Sequence, residues 1–232
     1  MKGDVVHSPE GEEIVLDDVG QHVLLDSPAV RVWEIGLSPA EAQHWHLHHN
    51  PYVILSLESS PGRMDWLDGS PARYVDEYVG GSVYRATGPV HKLTNIGDAQ
   101  YRNRLVEFKE LGENRDRAVD VGPGARSVQG QRPVDQPLPD GRLCVLDHPH
   151  TTVWEVEVPA RSTRTLDLAA VPHVLAALAA PDLAADPTGG VRLHPGGPAQ
   201  LVNDTTAPAR WFVVELTHLR DLDQVTSQEG RS

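Results

Sequence analysis

The sequence predicts an all-β protein built from two related small barrel or sandwich domains in tandem. Two observations predict the class. Short valine-rich runs such as Val30-Arg31-Val32-Trp33-Glu34-Ile35 and Trp211-Phe212-Val213-Val214-Glu215-Leu216 recur along the chain, and its 20 glycines and 19 prolines separate such runs. Brief β-prone runs between turn residues are the signature of strands in a sandwich or barrel. The tandem arrangement is predicted by a third observation, an internal repeat.

In its first block Asp26, Pro28, Val32, Trp33, Glu34, Leu47, Pro51, Val53 and Leu57 recur 121 positions later. Their partners are Asp147, Pro149, Val153, Trp154, Glu155, Leu168, Pro172, Val174 and Leu178. In the second block Gly81, Val83, Gly88, Leu93, Asn95, Arg102, Val106, Glu107 and Leu111 recur at an offset of 108. Their partners are Gly189, Val191, Gly196, Leu201, Asn203, Arg210, Val214, Glu215 and Leu219. The second copy is therefore 13 residues shorter between residues 58 and 80, the kind of change loops absorb and strands do not. The Ala/Leu-rich stretch from Val171 to Ala185 could pass for a helix on propensity. It aligns with the strand-like Tyr52-Val53-Ile54-Leu55-Ser56-Leu57, so its start is expected to be a strand.

The repeat divides the chain into a domain at 20–111, a linker or strap at 112–141 and a second domain at 142–222. The middle segment is rich in Pro, Gly, Asp and Arg and lacks apolar periodicity. The polar tail from Asp223 to Ser232 is expected to fray. Of 232 residues, 33 are acidic and 20 basic, for a net charge of -13. That charge disfavours nucleic acid and anionic membranes as partners and leaves a small-molecule substrate as the expected one. No signal-like apolar segment opens the sequence and no apolar run reaches the ~20 residues of a membrane helix, so the reading is a cytoplasmic protein. A homodimer is compatible with these features. Cys144, the single cysteine, excludes an intrachain disulfide and reads as a small core residue in Leu143-Cys144-Val145-Leu146.

Four of twelve histidines crowd into Gln43-His44-Trp45-His46-Leu47-His48-His49-Asn50. On a regular strand His44, His46 and His48 share one face, and Trp45 and Leu47 the other. Two imidazoles spaced i, i+2 can converge on one ion, with the third ligand from another strand. His91, in Gly88-Pro89-Val90-His91-Lys92-Leu93-Thr94-Asn95, is the candidate. An alternative register uses His44 and His46, with His48 turned aside by a bulge.

These residues resemble the cupin family. Gly80, Gly88, His91 and Asn95 fit the spacing of its second motif, with Ala86 in the proline slot. His46-Leu47-His48 fits the His-x-His pair of its first motif, with Tyr52 in the slot of the glutamate ligand. The resemblance covers most of residues 24–111 and is closest to small bacterial cupins with a Trp-His-x-His…Pro-Tyr signature, including those of β-alanine degradation. It implies a pair of jelly-roll (double-stranded β-helix) barrels, a bicupin, with a metal inside the first. Tyr52 is a poor ligand at neutral pH because a phenol titrates near ~10. The implied site is therefore His46, His48 and His91 around one divalent transition metal, with open positions for water, dioxygen or substrate. Fe(II) is favoured, Zn, Ni and Cu are compatible, and Mn is disfavoured by the lack of a carboxylate.

The second copy reads Asp167, Ala169 and Ala199 at the three ligand positions and His173 at that of Tyr52, so no metal site is expected there. Residues kept in both copies, including Glu34 and Glu107, read as framework. Those confined to the first copy are the functional candidates: Tyr52 to hydrogen-bond a bound substrate or oxygen, Arg104 to anchor a carboxylate if it faces inward, and, less strongly, Tyr84 and Arg85. The expected function is a metal-dependent, dioxygenase-like oxidoreductase acting on a small polar metabolite. The alternatives are a non-catalytic binding or regulatory bicupin, and a Zn- or Ni-dependent lyase or isomerase.

Overall fold

The structure, a computed structural model, describes residues 2–114, 128–129, 136–179 and 189–220. Most of the predicted linker, the end of the Ala/Leu-rich stretch and the polar tail lie outside the described residues. The chain divides into two compact units, Met1–Val128 and Gln129–Ser232. Every strand pair described in either unit is antiparallel. No helix among the described residues is long and apolar enough to cross a membrane.

The first unit holds β1 (Val5–His7), β2 (Glu13–Val15), β3 (His22–Asp26), β4 (Val30–Leu37), β5 (Ala42–His46), β6 (Tyr52–Glu58), β7 (Gly62–Trp66), β8 (Arg73–Val75), β9 (Ser82–Arg85), β10 (His91–Asn95) and β11 (Tyr101–Phe108). One sheet runs β5-β10-β7-β8; the other runs β9-β6-β11-β4-β3, with the two-residue β12 (Val128–Gln129) on its β9 edge. Their inner faces meet in a core of Ile35, Leu37, Tyr52, Ile54, Val83, Leu93, Tyr101 and Leu105, with Trp33 packed against it. The alternation follows from the pleat: Asn103 and Leu105 point inward, while Arg104 and Val106 occupy the opposite face of the same strand. The unit begins earlier than residue 20. The hairpin of β1 and β2 leads into Leu16 and Val19, both buried, and the Asp17 N–H donates to the Trp45 carbonyl at 2.9 Å.

The second unit holds β13 (Arg142–His148), β14 (Thr151–Val158), β15 (Ser162–Leu168), β16 (His173–Ala179), β17 (Val191–His194), β18 (Gly197–Asn203) and β19 (Ala209–Glu215). Its sheets run β13-β14-β19-β16-β17 and β15-β18, around a core that includes Val156, Leu166, Leu175, Ala199, Leu201 and Val213. In order these strands repeat β3, β4, β5, β6, β9, β10 and β11. β7 and β8 have no counterpart among the described residues, and they occupy the span where the sequence offset changes. The Ala-rich start of the ambiguous stretch is strand β16, so pairing on both sides overrides the helical preference of alanine. Cys144 is buried in β13, and burial raises its thiol pKa to about 11, as befits an inert core residue.

The repeated asparagine has a structural cause. The Asn95 amide donates to the carbonyls of Leu37 (2.9 Å) and Ala99 (2.8 Å), and its oxygen accepts from Ser60 Oγ at 2.8 Å and from the Gly97 N–H at 3.1 Å. Asn203 donates likewise to Val158, Pro159 and Ala207 and accepts from Thr205. Each thus ties the turn after its strand to the end of β4 or β14. An alanine would leave several buried groups unpaired. Asn95→Ala and Asn203→Ala are each expected to lower stability by about 2–3 kcal/mol, measured as a lower denaturant midpoint at unchanged m-value.

Candidate metal centre

Pairing of β5 with β10 sets His46 directly opposite His91. Leu93, two residues on, pairs with Gln43, so three residues of β5 span what two span on β10. That is a β-bulge at His44 and Trp45. Its consequence is that Gln43 and His46 both turn inward and are buried, while His44 is exposed. The expectation that His44, His46 and His48 share one strand face fails here: the bulge removes His44, and β5 ends at His46. His48 arrives from the segment joining β5 to β6 and is buried as well. His49 is exposed.

His46, His48 and His91 each offer a ring nitrogen within 4.8 Å of the others, and they form the one such group among the described residues. Ring centroids lie 4.3 Å apart for His46–His91, 5.1 Å for His46–His48 and 5.3 Å for His48–His91. Each Nδ1 already has an oxygen partner: the His44 carbonyl at 2.8 Å for His46, the Pro89 carbonyl at 2.9 Å for His91, and Glu107 Oε1 at 3.4 Å for His48. A carbonyl oxygen can only accept, so Nδ1 of His46 and His91 carries the proton and Nε2 keeps its lone pair. An acceptor that fixes the tautomer of a ligating imidazole is the usual outer partner of a metal site. Burial lowers the pKa of His46 and holds those of His48 and His91 well below the ordinary value, so all three rings are neutral near pH 7. Three neutral, pre-oriented imidazoles fit a divalent first-row transition metal.

Tyr52, from β6, stacks on His48 with centroids 4.0 Å apart and an angle of 24°. Burial pushes its phenol up to about 12, so it keeps its proton and lines the histidine cavity as a neutral phenol. Arg104 stands elsewhere. Its side chain is fully buried on the opposite face of β11, 3.6 Å from Glu34, which also pairs with Arg102. The role imagined for it depended on an inward direction that the strand's alternation denies. The cation that does reach the cavity is Arg85, opposite Tyr52 across β6 and β9. Tyr84 takes the other face of β9.

The sequence reading missed two further residues. Glu107 is buried beside His48 and also accepts from Trp33 Nε1 at 2.8 Å; its presence in both copies had marked it as framework. Gln43 was hidden because only the bulge turns it inward, where its amide donates to the Val19 carbonyl. The cavity at the histidines is small, about 20 Å³, and is also walled by Ile35, Met64, Asn103 and Leu105. An open cavity of about 420 Å³ begins at Glu107, between Arg31, Trp33, Asn50 and Glu113.

Strand pairing also corrects the position-by-position reading of the second unit. β15 pairs with β18 without a bulge, so Leu166, not Asp167, is opposite Ala199. Leu166 is therefore the counterpart of His46, and Asp167 is exposed. His173, at the Tyr52 position, has Nε2 3.7 Å from Glu215, the counterpart of Glu107.

No protein-family model matches the sequence, nor does any curated protein. Solved structures do match. Vicilin from Solanum melongena aligns over 82% of this chain and 74% of its own at 9% identity, with a TM-score of 0.56. Procruciferin, an 11S globulin from Brassica napus, aligns over 86% and 83% at 10% identity, with a TM-score of 0.54. These two likenesses show the fold, an all-β jelly roll, and the fold alone. A cupin domain from Bordetella pertussis also matches, at 25% identity over 38% of this chain and 90% of its own, with a TM-score of 0.35.

Two outcomes follow from the site. Alanine at His46, His48 or His91 is expected to lower metal affinity by more than about a hundredfold, Glu107→Gln by about 10–100-fold and His44→Ala hardly at all; competition with a chelating dye measures each. The pH dependence has a definite sign. The three histidines have folded-state pKa values below the unfolded one, so below about pH 6.5 the unfolded chain binds protons first and metal-free stability is lost. Glu107, whose pKa burial raises, works in the opposite sense. Denaturant midpoints of metal-free protein are expected to fall from pH 7 to 5, less steeply in the variant with all three histidines changed to alanine.

Proposed function

We propose that the first unit is a metal-dependent enzyme, a dioxygenase-like oxidoreductase that acts on a small polar metabolite at His46, His48 and His91. The observation that carries the reading is the set of three buried imidazoles whose Nδ1 atoms have oxygen partners and which each bring a ring nitrogen within 4.8 Å of the others, with no carboxylate in the group. Three ligands leave coordination positions open, which a purely structural site closes. When bound, a first-row metal there supplies redox or Lewis-acid chemistry, and Fe(II) suits the oxygenase reading. The chain's own groups do the rest. Tyr52 presents a protonated phenol as a hydrogen-bond donor, the apolar wall of Ile35, Ile54, Met64 and Leu105 excludes water, and Glu107 holds the His48 ring. The protein resembles cupins in its motifs, and its fold supports that resemblance.

One observation favours a second reading. A cavity of about 20 Å³ holds little more than one water, as suits a barrel that binds a metal without turning over a substrate. Oxygen uptake separates the readings. Protein loaded anaerobically with Fe(II) and then given air and a panel of small polar acids is expected to consume oxygen, and its His46→Ala variant is not. Tyr52→Phe is expected to lose at least about tenfold in turnover while metal affinity stays within about tenfold. Turnover without oxygen in Zn- or Ni-loaded protein would mark a lyase or isomerase, and ligand-dependent stabilisation without turnover would mark a binding protein.

A further inference from the structure

Opposite the histidines lies a second polar group with a different task. Glu77, in the segment between β8 and β9, is buried, and its carboxylate is a hub. Oε2 accepts from Tyr101 Oη at 3.0 Å and from Ser56 Oγ at 3.3 Å, and Oε1 lies 3.4 Å from Arg85 Nη2. Tyr101 Oη in turn accepts from Asn103 Nδ2 at 2.8 Å. The direction of this chain is forced. A hydroxyl has one proton, which Tyr101 donates to Glu77, so it must receive from Asn103. Asn103 therefore turns its NH₂ toward Tyr101 and keeps Oδ1 for the cavity it lines. Asn103 is buried, and Oδ1 has no hydrogen-bond partner among the described residues. An unmet buried acceptor costs about 1–3 kcal/mol, and a ligand's donor would satisfy it. Arg85 lines the same cavity as a source of N–H donors and positive charge.

The second unit supplies a comparison inside one chain. Strand pairing matches Ser56 to Ala177, Asn103 to Trp211, Tyr101 to Ala209 and Arg85 to His194. The unit without the histidine triad has replaced this network with mostly apolar residues. Framework groups such as Asn95 and Glu34 persist in both units as Asn203 and Glu155. The network thus goes with the triad and not with the fold.

We infer that Glu77 is a positioning residue that aims Arg85 and the Asn103 carbonyl at the metal cavity, and that together they select a small oxyacid carrying a hydroxyl or amine beside its carboxylate. The carboxylate meets Arg85 and the metal; the O–H or N–H meets Asn103 Oδ1. Glycolate, the smallest 2-hydroxy acid, is the fitting probe for so narrow a space, and Met64 is the wall side chain that yields most readily. The inference rests on the metal reading above, and the test keeps the two apart.

Full-length protein is loaded with Co(II), and glycolate and acetate are titrated separately while the cobalt absorption bands are followed. Glycolate chelates metals better than acetate by itself, so the informative quantity is the change in the glycolate-to-acetate affinity ratio between proteins. In Asn103→Leu this ratio is expected to fall at least about tenfold, with affinities for acetate and Co(II) unchanged. Tyr101→Phe, which keeps the ring and frees the amide to turn, is expected to lower the ratio in the same direction. Glu77→Gln is expected to weaken both acids, because Arg85 loses its anchor. A residue that merely supported the fold would weaken both acids alike in Asn103→Leu. If Co(II) binds and the ratio is unchanged in Asn103→Leu, or in Tyr101→Phe where the first variant does not fold, the inference is overturned and the metal reading stands. If the wild-type protein binds no Co(II), the metal reading fails and this inference with it.

Discussion

The pairing of β5 with β10 is the constraint on which the site depends. It brings His46 and His91 face to face and buries both. A strand has period two, so a slip of one residue would send one ring out of the barrel. The bulge in β5 fixes that register by offering one residue too many to β10 and spending the excess on His44. With His46 and His91 placed, the turn into β6 has only to deliver His48 beneath Tyr52, and Glu107 on the opposing sheet meets it there. The site is thus assembled from both sheets of the sandwich, and its geometry is as rigid as their packing.

The two units show which polar groups the fold itself needs. Asn95 and Asn203 close equivalent turns, and Glu34 and Glu155 pair with Arg102 and Arg210 at equivalent places. None of these contacts touches the histidine cavity. Within it, the second unit substitutes Leu166 and Ala199 for the paired histidines, and they pack into an apolar cluster with Val156, Leu175 and Val213. Glu215 bridges the categories. It keeps the place of Glu107 but meets His173, an imidazole that stands where the first unit has Tyr52. Presence in both copies therefore marks a position as compatible with the fold, and what it touches decides whether it also serves the site.

Much of the fold was legible because the repeat let each copy interpret the other. Propensity alone would have made a helix of Val174 to Ala179, and its alignment with β6 made it a strand. The meeting of His46, His48 and His91 was legible in the motif spacing that carries the cupin resemblance, although only His46 and His91 meet across adjacent strands and His48 comes from the segment after β5. What stayed hidden turned on a single residue of parity. Counting by twos put His44 inside and could not place Gln43, because a bulge leaves no sign in composition. The same parity decides between Arg104 and Asn103, neighbours on β11 that face opposite ways. Glu77 was out of reach for another reason: it lies in the span where the second copy is 13 residues shorter, so the repeat could say nothing of it.

The inner layer of the first unit works against its own stability. Three imidazoles and Asn103 occupy positions that the second unit fills with Leu166, Ala169, Ala199 and Trp211 on the same scaffold, and Glu107, Glu77 and Arg85 add further buried polar groups. Burying each polar group has a desolvation cost that hydrogen bonds only partly offset. The histidines express that cost as lowered pKa values, and Asn103 expresses it as an unmet acceptor. A metal ion would satisfy the first and a ligand's donor the second. Both would bind the folded state selectively and so stabilise it by mass action. Cavity, triad and network are on this argument one device, whose polar groups find their full set of partners only when metal and ligand are both bound.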